Sequence, residues 1–163
     1  MFPPVISIES TMSNDPRYTA YLESQRRAAQ WTVFLRAVAQ ALQSRLDVDE
    51  LRQTMRAAGM QAAQELALPE CETLADIEAA ANRHWSQMGW GCVALSEQPD
   101  CLRISHAYAP FAEAFGAEPP DWLGSFLEGV YQQWFLLLGA GNALLVRFEG
   151  RDENGILNYR FGR

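Results

Sequence analysis

The 163-residue chain contains no lysine; all 13 of its basic residues are arginine. That excludes Schiff-base chemistry and the lysine of a phosphate loop, leaving planar guanidinium forks as the only permanent cations. Histidine is scarce, with two, His84 and His106. A metal centre needs several converging ligands, and neither these residues nor Cys71, Cys92 and Cys101 have the spacing for one. The cysteines form no CxxC pair and are odd in number, so free thiols in a reducing compartment are the simplest reading. Long apolar runs are also missing. The longest, Trp134 to Ala140, falls far short of the roughly 20 residues of a spanning helix. The opening Met-Phe-Pro-Pro-Val-Ile-Ser-Ile lacks the basic and apolar regions of a secretory signal, so a cytoplasmic chain without a transmembrane segment is expected. Positive charge is in deficit, at a net −7, which argues against a nucleic-acid surface.

What the chain does have is apolar and aromatic side chains. Hydrophobic residues make up 48% of it, with five Trp, five Tyr and eight Phe. At this length one domain is the simplest organisation, able to bury about 70% of its unfolded surface. Residues 1–16 read as a flexible leader without helical period, and 17–163 as the folded domain.

Trp31, Phe34, Leu35, Val38, Leu42 and Leu46 recur at helical spacing and mark one broad apolar stripe; the turns before it, Glu23 to Gln30, are polar. Asp47 with Glu50 three residues on forms a capping box for a second helix, whose buried face is expected at Leu51, Met55, Ala58, Ala62 and Leu66. A third helix starts at Thr73, carries Leu74, Ile77, Ala81, Trp85 and Met88 inward, and ends at Gly89. Trp90 to Ser96 and Cys101 to Ala107 alternate around Glu97-Gln98-Pro99-Asp100, which is a hairpin. After a proline-flanked loop, Asp121 is expected to cap a helix bearing Leu123, Leu127, Val130, Trp134 and Leu138, with Trp122, Phe126 and Tyr131 widening its face. Ala143 to Glu149 and Ile156 to Phe161 form a closing hairpin. The fold class is therefore α+β: N-terminal helices, then hairpin–helix–hairpin, forming an antiparallel sheet packed on helices.

No chemistry emerges from this plan. Ser105 and His106 are strand neighbours and point to opposite faces, so they form no dyad. Gly139-Ala140-Gly141-Asn142 stops a helix before a strand, the reverse of a phosphate loop. His84 is expected to be largely exposed, and both histidines to be ordinary surface or hydrogen-bonding groups. Glu128 sits in an otherwise apolar helix and is expected to pair with an arginine or a backbone donor. Gly129 costs about 1 kcal/mol in a helix interior relative to Ala, which points to a close backbone approach there. Trp31, Phe34, Val38 and Trp134 are expected at an oligomer interface or in the core rather than stacking on a ligand. No catalytic residue, cofactor site or metal site is expected.

Gly89-Trp90-Gly91-x-Val93-x-Leu95, then Leu102-x-Ile104-x-His106 and Pro110, then Trp122 and Leu127-Glu128-Gly129-x-Tyr131-x-x-Trp134, resembles the protein D family of bacterial cellulose synthase operons. The likeness runs from about Trp31 to the C-terminus, and residues 1–30 make a longer start than the family's usual one. The resemblance implies a non-catalytic accessory protein whose dimers assemble into a ring-like octamer. Such an assembly organises cellulose synthase complexes or the emerging glucan bundle, with the synthase complex or a proline-rich scaffold protein as partner and glucan chains as a possible contact. The family is placed either in the cytoplasm or in the periplasm; the absent signal and unpaired cysteines favour the cytoplasm. A weaker likeness, carried by Phe126-x-x-Gly129, is to small-molecule-binding sensor domains of the vinyl-reductase and vesicle-tethering type.

Overall fold

A computed structural model describes residues 31–116 and 118–163. The leader expected over 1–16, and the polar turns from Glu23 to Gln30, lie outside the described residues. Helix α1 occupies 31–43, α2 Val48–Glu65 and α3 Leu74–Met88. Strands β1 (Cys92–Glu97) and β2 (Leu102–Ala107) follow, then a short α4 (Phe111–Phe115), a 3-10 turn at Asp121–Leu123 and α5 (Gly124–Leu137). Strands β3 (Leu145–Arg151) and β4 (Leu157–Gly162) complete the chain. All strand pairs are antiparallel, in the order β1-β2-β4-β3. The α+β class and the hairpin–helix–hairpin order are as the sequence indicated.

Local chemistry sets the helix ends. At α2 the Glu50 amide donates to Asp47 Oδ1 and the Asp47 amide to Glu50 Oε2, both at 2.9 Å. Helix α3 has a second capping box, in which Thr73 and Asp76 exchange backbone and side-chain hydrogen bonds. Gly89 ends that helix at φ 67°, a left-handed conformation that glycine adopts without a Cβ penalty. Asp121 does not cap α5 as expected. It opens the 3-10 turn instead, and α5 starts at Gly124 without a side-chain cap, because Trp122 and Leu123 turn inward into the core.

Helices α2 and α5 cross backbone to backbone. A Cβ on Gly129 would overlap the Arg56 carbonyl oxygen, and one on Gly59 would overlap that of Phe126. The close approach expected at Gly129 is therefore present, and Gly59 is its counterpart. Of the face expected on α2, Leu51 is buried and Met55, Ala62 and Leu66 pack against the core, while Ala58 is exposed. Gly59 and Ala63 are buried beside them, because the nearest approach runs through the residue lacking a side chain. Met88, expected on the buried stripe of α3, is likewise exposed at the helix end.

The core lies between the helices and one face of the sheet. Val93, Leu102, Ile104, His106, Val146, Leu157 and Tyr159 point into it from the strands. Trp85 is at its centre, with its ring centroid 5.1 Å from His106 and 5.2 Å from Trp134. Among the described residues no helix covers the opposite face of the sheet, which is exposed or half-buried on every strand except at Gly162.

Candidate functional site

The groups most able to carry chemistry are held in structural roles. His106 is fully buried, with Nδ1 2.5 Å from the Tyr131 hydroxyl and Nε2 2.7 Å from the Trp90 carbonyl oxygen. A carbonyl only accepts, so Nε2 carries the proton and Nδ1 accepts from Tyr131. Burial pushes the His106 pKa down to about 4, against the opposing pull of the Trp90 carbonyl. Burial likewise raises the Tyr131 hydroxyl well above its ordinary value. A neutral imidazole shut in the core holds the β2 strand to the segment after α3. His84 stacks on Trp134 with ring centroids 6.1 Å apart and lies 3.2 Å from the Ala67 carbonyl oxygen, so it is partly covered rather than largely exposed. Ser105 faces away from His106 and donates to Asn158 Oδ1 at 3.2 Å. Among the described residues no group of His, Cys, Asp and Glu side chains could hold a metal ion.

Glu128 has the partners expected of it. Its carboxylate pairs with the Arg56 guanidinium and accepts the Phe148 amide at 2.6 Å. Gln132, one turn on, accepts from the Val146 amide at 2.7 Å and from Arg56 at 3.0 Å, and donates to the Leu144 carbonyl at 3.1 Å. Arg56 also donates to the Val146 carbonyl at 3.1 Å. These three side chains occupy the open edge of β3. The other edge, β1, is treated the same way. Asn82 exchanges two hydrogen bonds with the Val93 backbone, and Glu78 accepts the Leu95 amide. Both sheet edges are thus closed to strand addition over these residues. Sequence reading missed Gln132, Asn82 and Glu78. The spacing of Glu128 and Gln132, i and i+4 in an apolar helix, is a signal that could have found the first.

The four residues expected at an interface or in the core divide sharply. Trp134 is 2% exposed, with its indole N–H donating to the Leu66 carbonyl at 2.8 Å, so it is core. Trp31 is 59%, Phe34 56% and Val38 38% exposed, all on one face of α1. The Trp31 and Phe34 rings meet edge to face, with centroids 5.6 Å apart. Further along, Ala39 and Leu42 on the same helix and Leu46 just beyond it pack on the core, and Arg36 fixes α1 to α4 by donating to the Ala114 carbonyl at 2.8 Å. Beside this face runs an apolar groove of about 440 Å³, lined by Trp31, Leu35, Met55, Phe111, Phe115 and Phe126 among others. Its described walls are apolar apart from Thr32 and Glu113, so the region is suited to burying apolar surface.

The family model for the cellulose synthase D-type subunit matches residues 17–160. The chain belongs to that family. The match takes in every described element of the fold from α1 through β3 and the first four residues of β4. Among the proteins that this family member resembles, cellulose synthase operon protein D of Komagataeibacter xylinus is 26% identical over 106 residues, 64% of this chain and 68% of the relative. The protein of the same description from Komagataeibacter sucrofermentans is 24% identical, with the same coverage of each. No described helix is long and apolar enough to cross a membrane.

Proposed function

We propose that the protein is a non-catalytic accessory component of bacterial cellulose biosynthesis that works as a self-assembled scaffold. The observation that carries this reading is the α1 face, where two large aromatics and a valine remain exposed although residues further along the same helix are packed. Burying an apolar side chain of that size is worth about 1.5–3 kcal/mol, enough for identical faces to meet across a two-fold. Blocked sheet edges support the same route, since they leave helical faces rather than strand pairing for assembly. Membership of the cellulose synthase family described above supports the cellulose role.

In this proposal dimers joined through α1 build a ring-like octamer in the cytoplasm, where the three free cysteines stay reduced. Its partners are the synthase complex or a proline-rich scaffold protein, and it organises synthase complexes or glucan bundles. A cellulose-secreting bacterium deleted for its own operon protein D provides the test. Supplying this chain should restore cellulose yield, and the Phe34→Asp variant at equal abundance should not. Equal restoration by both would remove the α1 face from the function.

The groove beside α1 favours a second reading, a small-molecule sensor, because apolar grooves of this size take ligands. That reading requires a ligand-dependent rise in melting temperature that disappears when Phe126 is truncated.

A further inference from the structure

On the sheet face opposite the core, which no described helix covers, strand pairing brings three arginines into one row. Arg103 on β2 is the register partner of Arg160 on β4, and Arg160 is the partner of Arg147 on β3. Ser96 on β1, the partner of Arg103, extends the row to all four strands. Like charges placed directly opposite in an antiparallel pair destabilise the sheet. This chain nevertheless stacks three in succession, in a sequence with 20 acidic residues against 13 basic ones. Arg160 is compensated, donating to Asp100 Oδ2 at 2.9 Å and to the Arg163 carbonyl at 3.0 Å. Arg103 and Arg147 are exposed and have no carboxylate partner among the described residues. Glu149, at the β3 bulge beside Arg147, makes no ion pair with it. Ser105 and Asn158 form the next row and are polar but neutral.

We infer that this sheet face is a docking surface for an acidic helix of a partner protein, with Arg103 and Arg147, which no described carboxylate pairs, as its anchors. The spacing selects the occupant. Neighbouring strands stand about 4.7–4.9 Å apart, and side chains three or four residues apart on a helix lie about 5–6 Å apart. Carboxylates in an i, i+4, i+7 stripe therefore meet successive arginines of the row. An extended peptide repeats its same-face side chains at about twice the strand rise of roughly 3.4 Å, too widely to follow it. Bidentate guanidinium–carboxylate pairs then replace the repulsion within the row. The surface lies on a different part of the fold from α1, so it stands apart from the self-association proposed above.

The test uses the full-length chain and a labelled alanine-rich helical peptide with glutamates at i, i+4 and i+7, read by fluorescence anisotropy at low salt. The peptide should bind, and its glutamine counterpart should not. The double variant Arg103→Gln/Arg147→Gln should bind about tenfold more weakly or worse. It should melt at the same temperature as the parent or higher, because the like-charge repulsion is relieved while the Arg160–Asp100 pair remains. Failure of the parent chain to bind, or equal binding by the variant, overturns the inference. Equally tight binding of inorganic polyphosphate would make the row a general anion surface and overturn it too. A fall in assembly mass in the variant would show the occupant to be a second copy of this chain, with the same consequence.

Discussion

Gly129 lies so close to the Arg56 carbonyl oxygen that the backbones of α5 and α2 touch. Ala is favoured over Gly in a helix by about 1 kcal/mol, but here the added methyl meets backbone, which cannot rotate away. Gly129→Ala should therefore destabilise the protein by roughly 1–3 kcal/mol in urea unfolding. Gly141→Ala is the control: nothing stands within 4 Å of its Cβ position, and the change should stay within about 0.5 kcal/mol.

Glu128 is held by Arg56 and the Phe148 amide in a half-covered position between α5, α2 and β3. Glu128→Gln keeps the shape but leaves the guanidinium without its counter-charge. A loss of about 1–3 kcal/mol is expected, between the values for exposed and fully buried pairs. The double variant Glu128→Gln/Arg56→Met should lose less than the sum of its singles, as a double-mutant cycle of unfolding free energies would show.

His106 sets a pH dependence of known sign. Its folded pKa of about 4 lies below the ordinary 6.5, so the unfolded chain binds the proton more readily. Stability is complete above about pH 6.5 and is lost as pH falls toward 4. Between pH 7.5 and pH 5 this group alone accounts for about 2 kcal/mol. His106→Gln should flatten that part of the curve, measured as the difference in unfolding free energy between the two pH values.

Asn82 protects the β1 edge through its two bonds to Val93. Asn82→Ala exposes an amide and a carbonyl on an edge strand and should cost about 1–3 kcal/mol. It should also raise the rate of thioflavin-positive aggregation on mild heating, because the unpaired edge becomes a template.

The elements whose causes are local could be read from the chain. Asp47 with Glu50, Gly89 and both hairpins are each settled by residues a few positions apart, whereas Gly129 signalled a close approach without naming the Arg56 backbone it meets. The pairing of Glu128 with an arginine followed from the cost of leaving a charge unpaired in an apolar helix, though which arginine did not. Features that depend on long-range placement were hidden. The arginine row exists only because β2 pairs β4, a crossover that no local pattern announces. Burial of Trp122 and Leu123 overrode the capping preference of Asp121. The α1 stripe was visible as apolar, but which part of it the core would cover was not, since Trp31 and Leu42 fit the same helical period.

The scaffold reading stands on the exposed end of the α1 stripe joining copies of this chain. Light scattering of the purified protein, beside the Trp31→Ser/Phe34→Ser variant, reads that association at micromolar concentration. The parent should have the mass of a defined multimer, and the variant should fall to dimers or monomers while keeping its helical circular dichroism. A parent that remains a monomer, or a folded variant with undiminished mass, would contradict it.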